Sequence, residues 1–200
     1  MTRRFSVLIA FTLLVPVLVG CSGNAAITEF KKGDDFRERD DWETAIACYS
    51  EAIRLKPDMV QAYINRGHAY SMKDELDLAI RDYTGAIRLE PDNFYSYVHR
   101  ALTYSRIGDH DSEIKDYTES IRLDRGRSTT STSMLYAERG VAYYKNGQHD
   151  KAIADFTEAI RRNRDNSLAL VYRGSSYDEI GDQAKADADF AKADELKAKK

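Results

Sequence analysis

The sequence predicts an all-α protein, organised as a solenoid of about five stacked helical hairpins. Three observations predict this fold: similar residues recur every 34 positions, apolar residues within each unit are spaced three and four apart, and only 3 of the 200 residues are proline. A unit of this length is one helical hairpin, which cannot bury its apolar face alone. Consecutive hairpins are therefore expected to cover one another.

Residues 1–20 differ in composition from the rest of the chain. Arg3 and Arg4 precede an apolar run over residues 5–19. A basic segment followed by such a run is typical of a secretory signal peptide, and the run is too short for a membrane-spanning helix. We therefore expect residues 1–20 to be a signal peptide.

The end of this leader resembles the lipobox of bacterial lipoproteins, in Leu18, Val19, Gly20 and Cys21. The resemblance implies cleavage before Cys21, acylation of Cys21 with chains such as palmitate, and a short tether over residues 21–25. Two or three acyl chains anchor a protein stably. The resemblance also implies a lipid-anchored, periplasm-facing location in the cell envelope, and Ser22 favours the outer membrane. The alternative is an ordinary secretory signal in which Cys21 occurs by chance.

Charge and motif content narrow the classes of function. The net charge is −3 at pH 7, whereas nucleic-acid binding calls for a basic footprint. The sequence contains no nucleotide-binding glycine loop, zinc-ligand spacing or serine-hydrolase elbow. We therefore expect no enzymatic activity, no cofactor and no metal. With Cys21 acylated, Cys48 is a lone thiol, expected to be a small core residue.

Five repeats follow the leader, over about residues 26–59, 60–93, 94–127, 133–166 and 167–200. The first two show the spacing most clearly, in four identical pairs that lie 34 apart: Gly33 and Gly67, Tyr49 and Tyr83, Ala52 and Ala86, Pro57 and Pro91. An insertion over residues 128–132, within the polar stretch 125–133, is typical of a flexible loop. The last helix is heavily charged, as expected of a repeat whose outer face meets water.

The spacing inside a repeat indicates two helices joined by a short turn. Tyr63, Gly67 and Tyr70 lie four and three apart, which places them on one helix face. The small Gly67 lets the two backbones of the hairpin approach closely. Later turns contain glycines that can end a helix in the left-handed conformation: Gly108, Gly147 and Gly181.

This pattern resembles the tetratricopeptide repeat over about residues 26–200. The resemblance implies a right-handed superhelix in which the first helices form a concave groove for a protein or peptide partner. Two departures, Glu29 at an aromatic position and Glu113 at an alanine position, lead us to expect a frayed first unit and a looser joint between the third and fourth. By the resemblance, the groove residues are Gln61, Ile64, His68, Tyr95, Val98, Leu102, Arg106, Met134, Val141, Tyr144, Lys145, Val171, Ser175 and Asp178.

Two recurring polar features have alternative interpretations. Arginines precede the small residue of four first helices, where they could form an anion-binding ladder or pair with neighbouring carboxylates; we favour pairing. They are Arg66, Arg100, Arg139 and Arg173. The dipeptides His110-Asp111 and His149-Asp150 look like acid–base pairs. Because they occupy equivalent places in two repeats, we expect them to follow from the repeat pattern rather than from catalysis.

The sequence as a whole predicts a membrane-anchored adaptor or scaffold of the bacterial cell envelope that binds a partner in its groove. Two alternatives remain open at this point. One is small-ligand binding or enzymatic activity in the groove, which needs a deep pocket with convergent titratable groups. The other is a structural lipoprotein that self-associates through an exposed end or the Ser/Thr-rich loop.

Overall fold

The computed structural model describes the backbone of residues 17–124 and 129–198, and the side chains of residues 23–124 and 132–198. Within these ranges the chain forms ten α-helices and no strand, which confirms the predicted all-α solenoid. Residues 1–16, most of the expected signal peptide, lie outside the described residues, as does the side chain of Cys21.

The helices pair into five consecutive hairpins, and each hairpin packs against the next. The first helices of neighbouring hairpins also contact each other directly, α1 with α3, α3 with α5 and α7 with α9. They therefore form the inner layer of the stack. The helices are α1 (Val17–Arg37), α2 (Trp42–Leu55), α3 (Val60–Met72), α4 (Leu76–Leu89), α5 (Phe94–Ile107), α6 (His110–Asp124), α7 (Thr129–Lys145), α8 (His149–Arg162), α9 (Ser167–Glu179) and α10 (Gln183–Ala198).

Each hairpin repeats one close contact, between a small residue of its first helix and an aromatic ring of its second. A Cβ atom built on Gly140 would lie 2.7 Å from Phe156 Cε1, and one on Gly67 would lie 2.9 Å from Tyr83 Cε1. Such distances are too short for a Cβ atom, so these hairpins need glycine at this position. In the third hairpin Ala101 takes the place of the glycine and belongs to the same cluster as Tyr117. The four rings that are at most 1% exposed are Tyr49, Tyr83, Tyr117 and Phe156.

The turns inside the hairpins use left-handed backbone. Gly108, Gly147 and Gly181 have φ of 80°, 70° and 82°, as the sequence predicted. Asp40 and Asp74 take this role in the first two hairpins, with φ of 58° and 64°. Aspartate tolerates this region better than most residues because its short polar side chain can bond locally.

The polar insertion differs from the predicted loop. Helix α7 begins at Thr129, so residues 129–132 are helical, and residues 125–128 lie outside the described part of the chain. Two buried hydrogen bonds hold the start of α7: Thr132 Oγ1 donates to the Asp124 carboxylate of α6, and Ser133 Oγ donates to Ala159 O of α8 at 2.8 Å. The Thr132 hydroxyl thus joins the third and fourth hairpins, where a looser joint was expected, whereas the Ser133 hydroxyl joins the two helices of the fourth.

The start of the first hairpin also differs from expectation. Helix α1 begins at Val17, so residues 21–25, expected to be a tether, are helical. Tertiary packing extends almost to this end, because Ala26 is fully buried and the ring centroids of Phe30 and Tyr49 lie 5.7 Å apart. The Tyr49 hydroxyl donates to the Asp34 carboxylate at 2.8 Å. The first unit is therefore packed rather than frayed. Among the described helices, none has the length and apolar character to cross a membrane.

Candidate partner-binding face

The sequence-predicted groove residues all lie on first helices, which form the inner layer, but they differ in accessibility. Ile64 and Val141 are only 5% and 8% exposed. Ile64 packs with Ala79 and Tyr83, and Val141 belongs to the equivalent cluster around Phe156. These two residues are core, which corrects the expectation that they line the groove. Residues that are exposed are Gln61, Tyr95, Leu102, Arg106, Met134, Lys145 and Asp178; those partly exposed are His68, Val98, Tyr144, Val171 and Ser175.

An apolar row runs along the inner layer, at the second position of each predicted repeat. Tyr95 and Met134 are 58% and 63% exposed, and Ile27 and Leu168 are also exposed. Gln61 occupies this position in the second hairpin. Because the same position of four hairpins presents a large exposed apolar side chain, this face is the candidate binding surface. We call Ile27, Tyr95, Met134 and Leu168 the apolar row. The sequence-predicted groove did not include Ile27 and Leu168, although they occupy the same repeat position as Tyr95 and Met134.

A cavity of about 290 Å³ adjoins two members of the apolar row. It lies between the start of α7 and the turn from α8 to α9, and it is half-open. Its lining combines apolar surface with two carboxylates, two amides and two serines. The residues that define its chemistry are Met134, Ala137, Glu138, Asp165, Asn166 and Leu168. Such a site can hold an apolar side chain beside a cationic group.

Glu138 is the most unusual acid of this cavity. Burial, followed by the nearby Glu113 carboxylate, raises the pKa of Glu138, whereas Lys145 acts in the opposite direction. Glu113 is itself 1% exposed on α6 and hydrogen-bonds His110 Nδ1 at 2.8 Å. Among the described side chains, none donates a hydrogen bond to the Glu138 carboxylate. A cation bound beside Glu138 would stabilise the ionised form of its carboxylate.

A second aromatic surface lies nearer the other end of the stack. The His68 ring packs edge-on to Trp42, with centroids 5.8 Å apart, and next to His99 at 6.5 Å. His99 in turn stacks on Tyr83 at 5.6 Å. Burial lowers the pKa of both histidines, so they are neutral near pH 7. Together with Trp42 and Tyr83, these two histidines form a continuous series of ring contacts.

Two other sequence-predicted groove residues make contacts between neighbouring elements. Arg106 donates to the carbonyl oxygen of Ser71 at 2.6 Å and to the Asp74 carboxylate at 2.8 Å. Its guanidinium therefore joins the end of α5 to the turn between α3 and α4. Tyr144 packs edge-on to Tyr172 at 5.6 Å, which joins α7 to α9. Part of the predicted groove thus stabilises the stack itself.

The recurring arginines form structural ion pairs, as favoured from the sequence. Arg100 donates from Nε and Nη2 to both Asp116 oxygens at 2.7 and 2.8 Å, and from Nη1 to Thr84 Oγ1 of the preceding hairpin at 2.9 Å. Two tyrosine rings, Tyr97 and Tyr104, flank it. The same bidentate bond spans 16 residues in the other pairs: Arg66 with Asp82, Arg139 with Asp155 and Arg173 with Asp189.

The two histidine–aspartate dipeptides do not form matching sites. His110 bonds to the buried Glu113, whereas His149 packs edge-on to Tyr144 with centroids 5.4 Å apart. Asp111 accepts a hydrogen bond from Asn146 Nδ2 at 3.0 Å. The contacts around the two histidines therefore belong to hairpin packing.

Five stacked hairpins with an accessible inner layer define a helical-repeat protein. Tetratricopeptide repeat models match residues 33–74, 60–93, 94–127, 133–166 and 169–200. The chain belongs to the tetratricopeptide repeat family. No curated protein matches it closely enough to be counted.

Solved structures of similar shape span nearly the whole chain. A crystal structure of MamA protein is 23% identical, with a TM-score of 0.81 over 88% of this chain and 94% of that one. MamA 41-end from Desulfovibrio magneticus RS-1 is 16% identical, with a TM-score of 0.80 over 90% and 98%. YrrB, described as a TPR protein with an unusual peptide-binding site, is 18% identical, with a TM-score of 0.75 over 86% of each chain. At these identities the likeness concerns the fold.

Proposed function

We propose that this protein is an interaction scaffold that binds a peptide segment of another protein on its inner layer. The observation that carries the proposal is the apolar row, where Tyr95 and Met134 are more than half exposed and Met134 lies beside the cavity that contains Glu138. An exposed apolar strip next to an acidic pocket is suited to a segment with apolar anchors and a basic side chain. The peptide-binding site described for YrrB, which shares this fold, supports a peptide partner.

The two sides of the cavity predict which side chains of the partner it recognises. Met134 and Leu168 offer apolar contact on one side, while Glu138 and Asp165 offer acceptors for a lysine or arginine of the partner. The apolar contact contributes affinity because it removes surface from water. The carboxylates contribute selectivity because a neutral or acidic side chain would leave them unpaired or repelled.

Serine at both Met134 and Leu168 is expected to weaken partner binding by at least about tenfold, since buried anchors carry most of the energy of an interface. Partners would be selected by display of random peptides on the purified chain and measured by fluorescence anisotropy. Glu138→Gln should weaken the binding of peptides that contain a basic residue and leave the affinity for their neutral analogues nearly unchanged. Ile180→Ser is the matched control, because Ile180 is 49% exposed outside the apolar row. Equal losses in the control and the double variant would contradict the proposal.

We further propose that the protein is a lipoprotein of the bacterial envelope, anchored through Cys21 and facing the periplasm, at the outer membrane. The support is the sequence Leu18, Val19, Gly20, Cys21 behind a basic and apolar leader. Stable anchoring follows from multiple acyl chains on one residue.

Cys21→Ala is expected to abolish incorporation of labelled palmitate and to move the protein from the membrane pellet to the soluble fraction. Lysed cells of a bacterial expression host, fractionated by ultracentrifugation, provide the measurement. Cys48→Ala is the control, since Cys48 lies on α2 and should leave labelling unchanged. A wild-type chain without label, or a Cys21→Ala chain that still carries it, would rule out this anchor.

A further inference from the structure

Helix α4 departs from the other second helices at one position. In three hairpins a glutamate pairs with the arginine three residues later, at N–O distances of 2.6–2.8 Å. In α4 the glutamate is replaced by Gly85, which leaves Arg88 without this partner. The three intact pairs are Glu51 with Arg54, Glu119 with Arg122 and Glu158 with Arg161.

Packing alone does not require this glycine. A Cβ atom on Gly85 would lie 3.2 Å from Cδ1 of Tyr63, which is a tight contact. The third and fourth hairpins, however, have Tyr97 and Tyr136 at the place of Tyr63 and keep the glutamate. A glycine inside a helix costs about 1 kcal/mol relative to alanine. Gly85 therefore lowers the helix propensity of α4, although packing against the Tyr63 ring does not require a glycine.

A cavity of about 420 Å³ lies beside Gly85, between α3 and α4. Arg81 and Arg88 lie seven residues apart on one face of α4, and neither forms an ion pair with a described residue. The one carboxylate of the lining, Asp82, accepts two hydrogen bonds from Arg66 at 2.7 Å. The Arg81 and Arg88 guanidinium groups of the cavity are exposed to water and have no carboxylate partner among the described residues.

The Thr84 hydroxyl and the Tyr63 ring also line the cavity beside these arginines. The Thr84 hydroxyl lines the cavity, donates to Ile80 O at 2.7 Å and accepts from Arg100 Nη1 at 2.9 Å. The Tyr63 ring provides an apolar wall.

We propose that this cavity binds the phosphoryl group of a small phosphate monoester. A planar guanidinium matches two phosphate oxygens with parallel hydrogen bonds, and two of them balance a dianion. A monoester approaches two negative charges at pH 7 because its second pKa is about 6. The Tyr63 wall can cover the organic part of the ligand. This site uses α3 and α4 side chains outside the apolar row, so it is independent of partner binding.

The test is a titration of the ¹⁵N-labelled purified chain with inorganic phosphate and with glycerol phosphate, followed by NMR. We expect saturable shifts of the Gly85 amide and of the Nε–H signals of Arg81 and Arg88. Arg81→Ala and Arg88→Ala should each weaken binding by about tenfold or more, as loss of a charge-assisted pair predicts. Gly85→Glu should abolish binding because it restores the ion pair of the other hairpins.

Arg122→Ala is the matched control, since Arg122 occupies the place of Arg88 in α6 but pairs with Glu119 at 2.8 Å. It should bind phosphate like the wild type. Shifts that do not saturate, that chloride reproduces at equal ionic strength, or that Arg122→Ala weakens equally would overturn the proposal. Binding to vesicles of anionic phospholipid without binding of either phosphate would overturn it as well. Should Gly85→Glu unfold, the exposed Arg81 and Arg88 variants still decide the question.

Discussion

Asp116→Ala is expected to lower the free energy of unfolding by about 3 kcal/mol, because it leaves a mostly buried guanidinium without its carboxylate. The side chains of Asp116 and Arg100 are 7% and 16% exposed, and two bonds of 2.7 and 2.8 Å join them. The Arg100 guanidinium also reaches Thr84 of the preceding hairpin. The substitution should therefore weaken both the third hairpin and its contact with the second.

Urea unfolding followed by far-UV circular dichroism measures this effect. Glu119→Ala is the matched control on the same helix, since Glu119 pairs with Arg122 in water and such exposed pairs contribute less than about 1 kcal/mol. Equal destabilisation by the two substitutions would show that the recurring pair adds nothing beyond a surface pair. The double variant Arg100→Met with Asp116→Leu should regain part of the loss, because it removes the uncompensated charge.

Phe156→Ala should lower the free energy of unfolding by about 3–5 kcal/mol, the range for loss of a buried aromatic side chain. Phe156 is 0% exposed, fits against Gly140 and stacks on Tyr172 at 5.9 Å. Its ring thus connects α7, α8 and α9. The cavity left behind would open the contact between the fourth and fifth hairpins as well as the core of the fourth.

Phe190→Ala provides the comparison, because Phe190 holds the same position in the last hairpin and fits against Gly174. It is only partly buried, and no further hairpin among the described residues covers it. We expect about half the loss, since stability in a solenoid depends on neighbour contacts. Hydrogen exchange should quicken in α7–α9 of Phe156→Ala and remain slow in α2–α4. An equally large loss for Phe190→Ala would contradict this picture.

The candidate face was predicted only in part. Repeat position correctly placed Tyr95 and Met134 on accessible surface, yet it also selected Ile64 and Val141, which neighbouring helices cover. Helical spacing identifies the face on which a side chain lies, whereas its exposure depends on how closely the next hairpin approaches. Glu138 escaped prediction for the same reason, since its cavity forms where α7 meets the turn before α9.

The five-hairpin stack follows from the amino-acid pattern alone, because a 34-residue recurrence of small and aromatic residues permits close packing only between successive hairpins. The pattern also predicts which faces of the helices meet. It also determined the left-handed turn at Gly108, whose φ of 80° other side chains disfavour. Three other features become visible only in the folded chain: Arg100 meets Asp116, residues 129–132 are helical, and Arg81 and Arg88 lack carboxylate partners among the described residues. Those outcomes depend on distances between elements, which the packing of side-chain volumes sets and a linear pattern does not contain.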